Sequence, residues 1–299
     1  MSDPSEQSSE PFGEEFLQRL EYLRMVAQKM AAGQFRARRR TETVGSGIDF
    51  ADHRSYNPGD AVKNIDWRVY RRSEKLFVKQ YEEQQDLHVY FLVDTSRSMH
   101  LGDAAKWHLA RDTAAALAYI ALSNLDRVSI VPFSSAVTGR LAPTRGRSQI
   151  FKIFDFLGGI EPGGETSTAD AFGTFVRENK RPGLAVVISD FYDPEGFEKG
   201  LDVLRYHRFE PMVIQLFDRR EFSVSITGDV QLVDCETGSA RRMVSTPSVG
   251  AELKAAFEQF SENLENYCTR HQMLYFQAPV QQSFEDLVLD VFRAGGFLD

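Results

Sequence analysis

The chain carries only two cysteines, Cys235 and Cys268, in 299 residues. Two cysteines cannot make a disulfide framework, and no Cys-x-x-Cys occurs, so a reducing, cytoplasmic setting is expected. The histidines His53, His88, His100, His108, His207 and His271 are scattered, with no His-Glu-x-x-His or paired spacing. That argues against a zinc hydrolase. There is no Walker loop with its lysine, no Gly-x-Ser-x-Gly elbow and no suggested serine–histidine–acid trio, so an enzyme is not expected. A run of about 18 apolar residues is also missing, so no membrane-spanning helix is expected. Met1 to Glu15 lack the basic and apolar regions of a signal peptide. Positive charge is short: 35 Lys and Arg stand against 43 Asp and Glu, a net charge of −8. A chain-wide electrostatic attraction for nucleic acid is therefore excluded.

What remains is ordinary material for a soluble globular chain, 42% hydrophobic and 26% charged. The length suits one large domain or two smaller ones. Residues 1–13, rich in Ser, Glu and Pro, read as a disordered tail. From Glu14 to Ala32 the apolar residues Phe16, Leu20, Leu23, Ala27 and Met30 recur at helical spacing, and Gly33 is a plausible stop. The basic run 35–40 can serve as an anion patch, but a run this short reads first as a solvated segment. Residues 44–86, rich in Gly, Pro and Asp, read as an irregular, strand-poor segment with short extended pieces such as Lys75-Leu76-Phe77-Val78-Lys79. Within it Tyr56-Asn57-Pro58-Gly59-Asp60 has the composition of a tight turn. Asp66-Trp67-Arg68, with Arg71 and Arg72, reads either as a buried anchor with a salt bridge or as a contact for an anionic partner.

From Leu87 the rhythm changes to alternating strands and helices. Strands are expected at 87–94, 128–134, 184–189, 211–217 and 273–277. Helices are expected near 103–124, 147–157, 168–179, 195–207, 250–270 and 283–294. Continuous apolar strands alternating with helices predict an α/β fold, a doubly wound and mostly parallel sheet with helices on both faces. Residues 218–246 break the rhythm and read as a small antiparallel insertion built from 222–226, 230–233 and 241–244. The domain organisation expected is a tail over 1–13, a helix and irregular segment over 14–86, and an α/β domain over 87–294.

Ligands of such sheets bind at the carboxyl ends of the strands. Three loops there carry oxygen donors. The first, Asp94-Thr95-Ser96-Arg97-Ser98, closes the apolar strand with a carboxylate and hydroxyls at i+2 and i+4. The second is Gly163-Gly164-Glu165-Thr166-Ser167-Thr168, and the third is Ser189-Asp190. Carboxylates with neutral hydroxyls suit a hard divalent cation such as Mg²⁺, which wants six oxygens at roughly 2.1 Å. Such a set leaves a coordination position open to a carboxylate from a partner. Asp193 and Glu195 can join this site or, as Asp193-Pro194-Glu195, begin a helix with favourable charge.

The pattern Asp94-x-Ser96-x-Ser98, with Thr166 after a glycine turn and Asp190 in a third loop, resembles the metal-ion-dependent adhesion site of von Willebrand factor A domains. The resemblance implies that Ser96 and Ser98 bind the cation directly and that Thr166 binds directly or in the ligand-bound state. It implies that Asp94 and Asp190 act largely through water. Glu165 stands between the glycines and Thr166 where that family has Gly-Gly-Thr, and Thr168 is the alternative threonine. Upstream, Gly47-Ile48-Asp49-Phe50, Arg54-Ser55-Tyr56-Asn57-Pro58-Gly59-Asp60 and Asn64-Ile65-Asp66-Trp67-Arg68 resemble the signature of bacterial domain of unknown function family 58. Members of that family usually lie beside genes for MoxR-type AAA+ ATPases. The resemblance implies a non-enzymatic adaptor for such an ATPase in assembly or chaperone work, with Mg²⁺, or another divalent ion such as Mn²⁺ or Ca²⁺, as cofactor. A metal-independent scaffold docking through 40–86 and the 218–246 hairpin is the first alternative. A metal-dependent phosphohydrolase is the second.

Overall fold

The computed structural model describes residues 12–34, 44–45, 49–62, 65–82, 87–222 and 228–294. The chain begins with α1 (Glu14–Gln34), β1 (Val44–Gly45), β2 (Asp49–Ser55), α2 (Trp67–Ser73) and β3 (Phe77–Glu82). Next come β4 (His88–Asp94), α3 (Ala105–Ser123), β5 (Arg127–Phe133), β6 (Leu141–Arg145), α4 (Ile150–Gly158) and α5 (Thr168–Glu178). Then follow β7 (Leu184–Ser189), α6 (Glu198–Tyr206), β8 (Glu210–Phe217), β9 (Gly228–Val233), β10 (Ala240–Ser245), α7 (Pro247–Arg270), β11 (Leu274–Pro279) and α8 (Phe284–Arg293). These elements form two compact units, Met1–Gly33 with Leu87–Asp299, and Gln34–Asp86.

In the larger unit six strands make one sheet in the order β11-β8-β7-β4-β5-β6. The first five run parallel, and β6 lies antiparallel to β5. Every residue of β7 is buried, as is every residue of β4 after His88, which is why these strands read as unbroken apolar runs. Alternate side chains take opposite faces. Tyr90 and Leu92 join Phe172 and Phe175 of α5 and Leu201 and Leu204 of α6 in one core. Val89, Phe91 and Val93, also buried, take the other face, against which α3 packs. The run Ala114–Ala118 in α3 is buried throughout; small side chains let this helix lie close to the sheet, α4 and α8.

In α1, Phe16, Leu20, Leu23 and Ala27 are all buried, the apolar stripe expected of an amphipathic helix. The ring of Phe16 meets Phe154 of α4 at 5.8 Å and Phe284 of α8 at 5.1 Å. The helix continues through the expected stop at Gly33 to Gln34.

The smaller unit departs from the strand-poor expectation. β1, β3 and β2 form a three-stranded antiparallel sheet in that order. Its strand β2 reads Asp-Phe-Ala-Asp-His-Arg-Ser and offers no apolar alternation, so only the backbone ladder reveals it. Trp67 is not a buried anchor, being 54% exposed. The buried member of that motif is Asp66, which caps α2 by accepting from the amides of Arg68 and Val69 and pairs with His53 at 2.9 Å. The Asn57–Asp60 turn is closed by the Asn57 amide on the Asp60 carboxylate at 2.9 Å. Within the insertion, β9 pairs with β10 in one antiparallel hairpin. Arg219–Phe222 form a short 3₁₀ turn, where a strand was expected to begin at 222. Tail residues 1–11, the basic run 35–40, residues 46–48 and 63–64, and the expected strand portion 223–226 lie outside the described residues.

Candidate metal centre

Strand order reverses beside β4, which has β5 on one side and β7 on the other. A crevice opens at the carboxyl ends of the strands at such a switch point. Asp94 ends β4, and Asp190 follows β7, whose Ile188 pairs with Val93. Both carboxylates are fully buried. Asp94 accepts from the Ser96 amide through Oδ1, at 2.8 Å, and from the Ser189 hydroxyl through Oδ2. Ser189 Oγ in turn accepts from the Phe191 amide at 2.8 Å. Phe191 sits at φ 61° with its ring in the core, a left-handed conformation that costs a bulky residue roughly 1–3 kcal/mol. The strain buys a tight turn that carries Asp190. Burial, reinforced by the charge of Asp190, pushes the Asp94 carboxyl above its ordinary range.

Ser96 and Ser98 are buried, and their hydroxyls hydrogen-bond to each other with the oxygens 3.0 Å apart. Adjacent ligands of an octahedral Mg²⁺, with bonds near 2.1 Å, are about 3.0 Å apart. The loop that carries them is fastened at both sides. Thr95 donates to the Phe133 carbonyl through its amide (2.8 Å) and hydroxyl (2.9 Å). The Thr95 carbonyl accepts from the Gly163 amide at 2.8 Å, and the Arg97 amide donates to the Gly164 carbonyl at 3.2 Å. Gly164 has φ 96°, and a Cβ there would stand 2.9 Å from Ser134 Oγ; a glycine is needed on both counts.

The two candidate threonines have different partners. Thr166, 4% exposed, donates its amide and its hydroxyl to the two carboxylate oxygens of Glu236, each at 2.8 Å. Thr168 donates its amide and hydroxyl to Asp193 Oδ2, each at 2.7 Å. Asp193 Oδ1 accepts from the Glu195 amide at 2.9 Å. Asp193 thus serves the first turn of α5, while Glu195 points outward to Lys199 at 3.6 Å.

Four side chains of the site escape sequence reasoning. Lys106 Nζ sits 2.8 Å from Asp190 Oδ2 and 2.6 Å from Glu221 Oε1. Burial alone would lower the Lys106 pKa, but Asp190 and Glu221 more than offset it and hold the ammonium above its ordinary value. Tyr192 donates its hydroxyl to Glu221 at 3.3 Å, and burial followed by the nearby carboxylates raises its pKa. Glu236, 7% exposed, comes from the turn between β9 and β10. Lys106 had a signal, a lysine on the apolar face of α3. Glu236 had none, since its contact with Thr166 spans 70 residues of chain.

The donor set is one of hard oxygens, hydroxyls with flanking carboxylates, and it fits Mg²⁺. Both oxygens of Asp94 and of Asp190 already accept hydrogen bonds from protein donors. Two of the surrounding carboxylates, those of Asp190 and Glu221, share the ammonium of Lys106. Among the described residues no group of three or more His, Cys, Asp or Glu could hold a metal, so the hydroxyls are essential to this reading.

The family described as "Protein of unknown function DUF58" matches residues 52–264. Uncharacterized proteins of Mycobacterium bovis and Mycobacterium tuberculosis are 29% identical over 210 residues, 69% of this chain and 66% of theirs. The chain thus spans just under two thirds of the length of these relatives. Among solved structures, BatB from Bacteroides thetaiotaomicron is similar at 12% identity and a TM-score of 0.42, over 71% of this chain and 98% of that one. The pilus adhesin SpaC from Lactobacillus rhamnosus GG is similar at 13% identity and 0.44, over 71% and 30%. Among the described residues no helix is long and apolar enough to cross a membrane.

Proposed function

The chain belongs to the DUF58 family, and from that premise we propose that it is a non-enzymatic binding protein with a von Willebrand A-like, Mg²⁺-dependent site. In this reading Ser96, Ser98 and Thr166 offer hydroxyls to the cation, while Asp94 and Asp190 orient its waters. Bound there, the cation supplies a Lewis-acidic position for an incoming carboxylate. Thr95, Gly163 and Gly164 hold the two loops in place. The partner is a MoxR-type AAA+ ATPase, for which the protein acts as adaptor in assembly or chaperone work. The observation that carries this reading is the gathering of two buried hydroxyls, hydrogen-bonded to each other at 3.0 Å, and two buried carboxylates at the switch point of the sheet.

Calorimetric titration with Mg²⁺, Mn²⁺ and Ca²⁺ tests it. The wild type is expected to bind, and Ser98→Ala to lose at least about tenfold in affinity, in line with the loss of one ligand from a small set. Capture of the purified ATPase is expected to fail in EDTA. Absence of cation binding by the wild type would overturn the reading.

A second reading has its own observation. Lys106 already brings a cation to Asp190 at 2.8 Å, which favours a metal-independent scaffold. Partner capture unchanged by EDTA and by Ser98→Ala, but lost on removal of the β9–β10 hairpin, would select it.

A further inference from the structure

We propose that Glu236 is a built-in carboxylate ligand of this site, and that the external partner is an acidic turn that must displace it. The inference rests on the cation reading above and adds what holds the site before a partner arrives. Glu236 places both oxygens on Thr166, one on the amide and one on the hydroxyl, each at 2.8 Å. One of the two donors that grip this carboxylate is the Thr166 hydroxyl, the same group offered to the cation, so Glu236 stands beside the position an incoming carboxylate would take. The grip extends to the backbone, where Arg97, in the first loop between Ser96 and Ser98, donates from its guanidinium to the Glu236 carbonyl at 2.9 Å.

The turn is shaped independently of the site. Asp234 Oδ1 accepts from the amides of Glu236 at 2.9 Å and Thr237 at 2.8 Å, and the Asp234 amide donates to the Ser239 carbonyl at 2.8 Å. Gly238 takes φ 70° within it. The hairpin therefore presents Glu236 ready-made. Its strands bury little: Leu232 is 53% exposed, and Val233 and Val244 are each 61% exposed. A two-stranded hairpin is marginally stable by itself. A polar latch of this kind holds the carboxylate in place yet yields to a competitor that supplies the same groups, a glutamate in a tight turn with its carbonyl turned to Arg97.

Amide hydrogen exchange of the full chain tests the proposal, with Glu236→Gln and Thr166→Val compared against the wild type, in EDTA and in saturating Mg²⁺. In EDTA the Glu236→Gln variant is expected to exchange the Thr166 amide about tenfold faster, as loss of a charge-assisted bond implies. Residues 228–245 are expected to follow, while β4, β5 and β7 keep their protection. Thr166→Val, which loses one donor of two, should free the hairpin less. With Mg²⁺ the hairpin should gain protection in the wild type and not in Glu236→Gln. Exchange of the hairpin and of Thr166 within about twofold of the wild type in EDTA would overturn the latch, and loosening of the wild-type hairpin by Mg²⁺ would overturn the ligand role. If calorimetry finds no Mg²⁺ binding by the wild type, the cation reading falls, and the EDTA measurement still decides whether Glu236 holds the hairpin to Thr166.

Discussion

Lys106 and Asp190 form an ion pair at 2.8 Å in which the Asp190 side chain is fully buried and that of Lys106 is 4% exposed. Glu221 sits on the same ammonium at 2.6 Å, and the Tyr192 ring lies 5.1 Å from it. Removing one partner of such a pair leaves an uncompensated charge in a dry interior. Lys106→Met is therefore expected to destabilise the fold by about 3–5 kcal/mol, measured by urea denaturation in EDTA at pH 7. Added Mg²⁺ should return part of that loss if the cation binds beside Asp190. A loss under about 1 kcal/mol would mean that the pair is as weak as an exposed one.

Asp94 sets the pH response. Burial and the neighbouring Asp190 raise its pKa in the folded chain, so the folded state holds this proton more tightly than the unfolded state does. The contribution is fully present below the ordinary carboxylate range, near pH 4, and is lost as pH rises through the elevated folded value. In EDTA, wild-type stability should fall over that interval. Asp94→Asn, which is neutral throughout, should show a flatter profile and be at least as stable at pH 7. The same variant should fail to bind Mg²⁺. Denaturation midpoints that decline equally with pH in both proteins would refute the assignment.

The strand and helix rhythm of the larger unit is legible in the sequence because buried parallel strands leave continuous apolar runs, as in Leu184–Ser189. That rhythm also locates Asp94, Ser96, Ser98 and Asp190, since each follows directly from the end of such a run. Thr166 and Thr168 are not separable by spacing, because what distinguishes them is which carboxylate each meets, Glu236 or Asp193. In the smaller unit the start of β3 is legible as the extended piece 75–79, whereas the largely polar β2 is invisible to a hydrophobic pattern. Lys106 is visible only as an oddity on an apolar helix face, with its partner Asp190 lying 84 residues away.

Gly164 ties the second loop to the first. Its φ is 96°, and a methyl group there would meet Ser134 Oγ at 2.9 Å, while its carbonyl receives the Arg97 amide at 3.2 Å. Gly164→Ala is expected to cost about 1–3 kcal/mol from the backbone conformation alone, and to weaken cation binding by shifting Thr166 against Ser96 and Ser98. Urea denaturation and Mg²⁺ titration of the same variant measure both effects. Wild-type values in both would show that the loop relaxes without cost.

The docking of α1 can be tested on two adjacent residues of one helix. Leu23 is fully buried and Tyr22 is 60% exposed, although both are large and apolar in character. The helix buries Phe16, Leu20 and Leu23, and Phe16 packs on α4 and α8, so removing a buried side chain of this stripe leaves a cavity. Leu23→Ala is expected to lose about 2–5 kcal/mol, and Tyr22→Ala to stay within about 0.5 kcal/mol of the wild type. Equal and small effects would mean that the helix stands away from the body, because a docked amphipathic helix must respond on its buried stripe and not on its solvated face.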